Sequence, residues 1–335
     1  MRTKYIYIML TILAMMLFLL NIFCGAVAID PHDTLQILMG QTSAETNSYI
    51  IIGVRLPQAC VAVLAGAALA ISGLMLQTLF SNPLADASIL GIHSGAGLGA
   101  AVVIMLTGGV MVSGLSGYVL LVLASLVGAV GVMAILMVFS SKVRSNAMLL
   151  IIGVMLSYMI SSGISLLSYI ATADNLQLFF MWGMGSFSSV SLSRLPVFAV
   201  IVMAGLLVAL TQVKALNALL LGEHYAQNAG VSIRKARTII LLAVGLLSAV
   251  VVAFCGPVAF IGLAVPHISR MAFGTSNHLV LMPASFLIGA IMALICNFFT
   301  TFVDPAILIP VNVITPFIGV PVIFYILWRR PLYRQ

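Results

Sequence analysis

The 335-residue sequence is 63% hydrophobic and only 6% charged, with 14 Lys+Arg and 7 Asp+Glu, where a soluble domain carries roughly 25% charged residues. So few charges cannot build a water-facing surface, and the apolar residues exceed what one core could hide, so lipid is the solvent. The net charge of +7 then reads as basic cytoplasmic loops rather than a nucleic-acid surface.

At about 20 apolar residues per span, the composition fits about eight to ten membrane helices. Charges near the bilayer centre are costly, so charge-free intervals mark the spans. The first runs from Tyr5 to Ile29 behind Arg2 and Lys4. It is too long for a signal-peptide apolar region, lacks an A-x-A-like cleavage site and has Phe23 before Cys24, so it is expected to be an uncleaved helix. Alternating from an inside N-terminus, the intervals predict helices near 5–29, 49–77, 90–107, 117–140, 146–170, 194–212, 238–255, 258–270, 278–299 and 309–328, with a Gly/Ser-rich turn near Gly108–Ser116. The fold class expected is therefore an all-α integral membrane protein of about ten transmembrane helices, both termini cytoplasmic, forming one domain over 1–335.

Charge placement tests this threading independently. Arg2, Lys4, Lys142, Arg144, Lys214, Arg234, Lys235, Arg237, Arg270, Arg329, Arg330 and Arg334 fall inside, and of the 14 Lys+Arg only Arg55 and Arg194 fall outside. Asp30, Asp33, Glu45, Asp174 and Asp304 make the outer rim acidic. Val258–Arg270, following Gly256-Pro257, is too short to cross and is expected to be a half-helix, with Pro266, His267 and Arg270 at its end. Small residues at four-residue spacing, as in Gly66-x3-Ala70 and Gly91-x3-Gly95-x3-Gly99, predict close helix packing.

Catalytic chemistry is sparse. His93-Ser94 lies in GIHSG, which is not the GxSxG elbow, and no carboxylate is nearby in sequence. Cys24, Cys60, Cys255 and Cys296 show no CxxC spacing, so neither a disulfide framework nor a metal site is indicated. No GxxxxGK[ST] is present. An ion-coupled carrier usually needs intramembrane carboxylates, and each acid here falls at an edge or in a loop. The bundle reads as a path without an engine, its energy supplied by a partner, with an ion-coupled carrier and an intramembrane hydrolase as the rival readings.

Several patterns occur in order. Arg55-Leu56-Pro57-Gln58 opens the second helix, which continues through Ala65-Gly66-Ala67-Ala68-Leu69-Ala70-Ile71-Ser72-Gly73 to Gln77. Asn82-Pro83-Leu84-Ala85-Asp86 through Leu90-Gly91 follows, then Met181-Trp182-Gly183-Met184-Gly185-Ser186-Phe187. The loop at 213–237 holds Leu216-Asn217-Ala218-Leu219-Leu220-Leu221-Gly222-Glu223, then Ala226 and Gly230-Val231. Gly262-Leu263-Ala264-Val265-Pro266-His267-Ile268-Ser269-Arg270 and Pro310-Val311-Asn312-Val313-Ile314-Thr315-Pro316 complete the set.

Together these resemble the FecCD-type permease family of ABC importers for iron-siderophores, haem and vitamin B12. The resemblance runs from about residue 50 to 328. It implies a ten-helix subunit used as a homodimer in the inner (cytoplasmic) membrane. Two separate ATPase subunits would hold the ATP and Mg, and a periplasmic or surface-anchored substrate-binding protein would deliver the cargo. No cofactor is expected on this chain.

By the same resemblance, 213–237 is the cytoplasmic coupling loop, with Asn217, Leu221, Gly222, Glu223, Ala226 and Gly230 as its candidates; its leucines are too apolar for a solvated loop. Arg55 would receive acidic residues of the binding protein. Gln58 replaces the second arginine of that motif, and Asn297 and Thr301 stand near where the family usually has Asp and Arg. Ser141, Ser145 and Asn146 are candidates for the cytoplasmic gate. Met155, Ser162, Ser165, Asn312 and Thr315, on the fifth and tenth helices, are candidates for the path wall.

Overall fold

The computed structural model describes residues 2–40, 45–106, 115–143, 145–302 and 309–329, and among these every regular element is a helix. The expected turn at 108–114, together with Arg144, Asp304, Arg330 and Arg334, lies outside the described residues. In chain order the helices are α1 (Arg2–Phe23), α2 (Pro31–Leu38), α3 (Glu45–Ser48), a π-helical stretch (Tyr49–Arg55), α4 (Leu56–Leu79), α5 (Ile92–Leu106), α6 (Leu115–Lys142) and α7 (Asn146–Ile170). They continue with α8 (Ala173–Gly183), α9 (Leu195–Thr211), α10 (Val213–Leu219), α11 (Glu223–Asn228), α12 (Ile233–Cys255), α13 (Ile261–Phe273), α14 (His278–Phe302) and α15 (Val311–Arg329).

Six stretches are long and apolar enough to cross a membrane: Thr3–Phe23, Glu45–Leu79, Ser116–Lys142, Asn146–Ile170, Ile233–Cys255 and His278–Thr301. The pair α9 and α10, bent by 51°, makes a seventh if counted as one span, and Ile92–Leu106 and Val311–Phe324 are shorter apolar helices. The protein is a multi-pass membrane protein. Each helix expected from the charge-free intervals has a counterpart, whereas α2 and α8 were not expected.

The core sits around α4, which is buried along nearly its whole length and packs against α14, α13, α12 and α9. Small residues make this possible. A Cβ at Gly66 would lie 2.2 Å from the Gly289 carbonyl oxygen on α14, and one at Gly73 only 1.8 Å from that of Gly262 on α13. Backbone touches backbone there, and dispersion replaces the hydrophobic effect that lipid cannot supply. Of the Gly91-x3-Gly95-x3-Gly99 row, Gly95 and Gly99 press on α6 at Gly128 and Ala124, whereas Gly91 precedes the helix at φ +83° and faces Ser157.

The half-helix is displaced from its expected position. It begins at Ile261 and runs to Phe273, so Pro266 lies inside it and Gly274, at φ +62°, ends it. His267 and Arg270 bind sideways instead: His267 Nε2 is 2.8 Å from the Pro83 carbonyl oxygen, and Arg270 Nη1 donates to Gln77 Oε1 at 2.7 Å. Gln77 Nε2 in turn donates to the Leu263 carbonyl at 3.1 Å. Three sequence motifs thus prove to be one tertiary joint between α4, the turn after it and α13.

Hydrogen bonds also sort the helix ends. Tyr7 Oη on α1 donates to the Val280 carbonyl on α14 at 2.6 Å, and Asn217 on α10 accepts from the His278 backbone N–H at 2.8 Å. The starts of α1 and α14 therefore share an end with the 213–237 loop, the end that also holds Lys142, Lys214, Arg234 and Arg237. At the other end, Ser186 N–H donates to the Cys255 carbonyl at 2.7 Å.

Candidate functional site

The 213–237 segment folds as two short helices, α10 and α11, joined at Gly222. Gly222 takes φ +100°, a conformation other residues adopt only with strain, so the sharp turn between the helices requires glycine. Gly230 ends the pair at φ +83°. Leu216, Leu219 and Ala226 are buried and root the pair, while Leu221 is 64% exposed and Leu220 and Tyr225 project beside it. Asn217 has a fastening role: its Oδ1 accepts from the His278 N–H at 2.8 Å, and its Nδ2 donates to Asn277 Oδ1 at 2.9 Å. The result is a rooted knob with an apolar tip at the basic end, a shape that fits a groove on another protein.

Beside the knob lies the turn between α6 and α7. Ser145 caps α7, its Oγ accepting from the Met148 N–H at 3.4 Å, and exposed Ser141 bonds its hydroxyl back to the Val138 carbonyl at 2.7 Å. Asn146 reaches further, its Nδ2 donating to the Leu79 carbonyl and to Glu223 Oε1, both at 2.8 Å. Arg237 completes the cluster. Its Nη2 donates to Asn146 Oδ1 at 2.7 Å and to Glu223 Oε1 at 3.2 Å, and its Nη1 to the Val143 carbonyl at 3.1 Å. Arg237 and Glu223 thereby form an ion pair.

Sequence reasoning counted Arg237 only as an inside charge and missed this role. A signal was present: Arg237 falls in the apolar stripe Ala236, Arg237, Ile240, Leu241, Val244, all buried, and an arginine on such a stripe needs partners.

The path candidates divide. Met155, at 67% exposure, and Ser162 and Ser165 lie on the open side of α7, together with Tyr158, Met159 and Tyr169. The two serine hydroxyls bond back to the Tyr158 and Ser161 carbonyls at 3.0 Å, which tames their polarity. Asn312 and Thr315 turn toward their own bundle instead. Asn312 Nδ2 donates to the Pro257 carbonyl at 2.7 Å and to that of Gly183 at 3.1 Å, while its Oδ1 accepts from the Ala259 N–H at 3.0 Å. It bolts α15 to the Gly256-Pro257 break. Thr315 is fully buried, and the open side of α15 carries Val313, Phe317 and Phe324.

Arg55, the expected docking cation, is turned into its own chain. Arg55 is only 6% exposed. Its Nη1 donates to the Ile22 and Phe23 carbonyls at 3.0 and 3.1 Å, and its Nη2 to that of Val27. The end of α1 leaves carbonyls without intrahelical donors, and a guanidinium there satisfies several at once and complements the helix dipole. Arg194 is held over the Tyr118 ring, its Cζ 3.6 Å from the centroid. Nearby, Gln58 Nε2 donates to Asn297 Oδ1 at 2.9 Å, and Asn297 Nδ2 to Asn21 Oδ1 at 2.8 Å. The two departures at Gln58 and Asn297 therefore form a single contact, a neutral pair bridging α4 and α14.

His93 Nε2 is buried without a hydrogen-bond partner. All four cysteines are free, and no group of three His, Cys, Asp or Glu able to hold a metal occurs among the described residues.

Comparison with known proteins converges on one family. The model of the FecCD transport family matches residues 12–329. The vitamin B12 import system permease protein BtuC of Klebsiella pneumoniae subsp. pneumoniae is 33% identical over 320 residues, covering 96% of this chain and 92% of the relative. The hemin transport system permease protein HmuU of Yersinia pestis is 34% identical over 287 residues, 84% of each chain. A solved inward-facing structure of a metal-chelate type ABC transporter superposes with a TM-score of 0.85 at 29% identity, covering 98% of this chain and 100% of that one. A helical membrane bundle matched by these proteins over almost its whole length belongs to the FecCD transport family, the transmembrane permease subunits of ABC importers, whose ATP hydrolysis is carried by a separate ATPase subunit.

Proposed function

We propose that this chain, as a homodimer in the inner (cytoplasmic) membrane, forms the alternating-access path for a large metal chelate (an iron-siderophore or haem) or for cobalamin. In this reading residues 1–335 act as one domain of about ten spans, with both termini and the 213–237 loop in the cytoplasm. Two ATPase subunits, holding ATP and Mg, seat on α10 and α11, and a substrate-binding protein delivers cargo to the opposite face. The apolar tip at Leu220, Leu221 and Tyr225, exposed at the basic end, carries the proposal, because a contiguous apolar surface on a folded knob marks an interaction site. The open side of α7, with Met155, Ser162 and Ser165, supports a weakly adhesive wall, since a transport path must release what it holds.

The test is reconstitution in liposomes with the ATPase and the binding protein, measuring uptake of labelled cobalamin, haemin and a ferric hydroxamate. ATP-dependent uptake of one of them is expected. Uptake that persists without the ATPase and binding protein refutes the proposal, and hydrolysis abolished by Ser94→Ala would instead favour an enzyme. Gly222→Trp is expected to prevent co-purification of the ATPase while leaving the permease inserted.

A further inference from the structure

The ion pair of Arg237 and Glu223 joins two regions that the sequence treats separately. Glu223 is the first residue of α11, and Asn146 is the first residue of α7, across the turn from α6. Between them stands Arg237, its side chain 7% exposed against 37% for Glu223. One guanidinium thus holds the carboxylate at 3.2 Å, the Asn146 amide oxygen at 2.7 Å, and the carbonyls of Val143 and Ser140 at 3.1 and 3.4 Å. The last two belong to the C-terminal end of α6, where the helix dipole favours a cation. Asn146 closes the ring by donating to Glu223 Oε1 and to the Leu79 carbonyl at the end of α4, both at 2.8 Å.

We propose that Arg237, Glu223 and Asn146 form a latch transmitting displacement of the coupling pair to the α6–α7 turn, with Arg237 as the positioning residue at its pivot. The proposal rests on the importer reading, in which α10 and α11 are where the ATPase pushes.

Three features make the cluster a transmitter rather than local capping. The planar guanidinium engages four acceptors in a fixed fork, so the groups it binds keep their mutual geometry when one of them moves. Its partners come from different elements, α11, α7 and the end of α6, so no single helix is stabilised at the expense of the rest. Adjacent to it, Ser140, Ser141, Val143, Glu223, Gln227, Arg234 and Arg237 border a cavity of about 790 Å³, which gives the turn and the coupling pair room to shift together. An element that moves as a unit between two arrangements is what energetic coupling requires.

The test uses the reconstituted complex with its ATPase and binding protein. Asn146→Ala and Glu223→Gln should leave co-purification of the ATPase intact while the ATP hydrolysed per labelled cobalamin, haemin or ferric hydroxamate imported rises about tenfold, a loss typical of one coupling contact. Arg237→Lys should show the same loss, since an ammonium cannot reproduce the fork.

In a background with Cys24, Cys60, Cys255 and Cys296 replaced by Ser, Asn146→Cys with Glu223→Cys should be uncoupled when reduced. Bridging the two thiols with a short thiosulfonate reagent should restore import, reversibly with reductant, and this arm decides the matter if Asn146→Ala fails to insert. Unchanged ATP cost in the variants, or a bridge without effect, overturns the latch. Loss of ATPase co-purification in Glu223→Gln shows that Glu223 belongs to the docking surface and also overturns it, leaving the importer reading in place. A native chain that binds no ATPase overturns both.

Discussion

The two ends of the bundle are stitched by different chemistry. At the end opposite the coupling pair, Asn21, Asn297 and Gln58 form a ladder of neutral amides, all buried, and Arg55 gives its guanidinium to carbonyls of the same chain. At the basic end, a buried arginine faces a carboxylate that is 37% exposed. A buried amide ladder that opens strands its donors and acceptors, and each unpaired buried polar group carries a desolvation cost. A half-exposed carboxylate can exchange its partner for water at small cost. One end is therefore built to hold still, and the other to rearrange.

The largest expected effect breaks the still end. Arg55→Ala strands the Ile22, Phe23 and Val27 carbonyls, and with hydrogen bonds to a charged group contributing about 1.5–3 kcal/mol each, a loss of about 4 kcal/mol is expected in detergent melting. A loss below about 1 kcal/mol would mean that the cap is ornamental. Gly73→Ala comes next, since its Cβ would sit 1.8 Å from a backbone oxygen on α13 and must push two helices apart, at about 2–3 kcal/mol. Gly131→Ala, which meets nothing within 4 Å, should instead stabilise by up to about 1 kcal/mol; equal effects at the two glycines would refute the close-approach argument.

Smaller effects sharpen the comparison. Asn297→Leu should cost about 1 kcal/mol, and adding Gln58→Leu should cost little more, because the first change already removes their contact. Strict additivity would sink the ladder. Glu223→Gln should alter melting by less than about 1 kcal/mol while impairing import, the reverse of the ladder variants, whose import per folded molecule should remain within about twofold of the native chain.

Much of the fold was legible in the sequence. Lipid forbids charge along every span, so the gaps between charges located α6, α7, α9, α12 and α14 to within a few residues. Motif order likewise pointed to the family to which the chain belongs. The turn residues were legible where backbone geometry demands them, as at Gly222 with φ +100°. The sites were less so. Asn312 was expected on a path wall because it is polar and on the right helix, yet it ties α15 to a chain break more than fifty residues earlier. Arg55 was expected to face a partner because it is the odd outer cation, yet it caps α1.

What the sequence by itself determined is the solvent, the order of the helices, and the family, since each of these leaves its mark on residue after residue. What only the tertiary structure decided is which way each helix turns about its axis and whom each polar group meets. Lipid tails are as apolar as leucine, so a spanning helix carries little amphipathic signal to orient it. The polar partners, such as Gln58 and Asn297, 239 residues apart, are chosen by packing across the bundle rather than by local sequence.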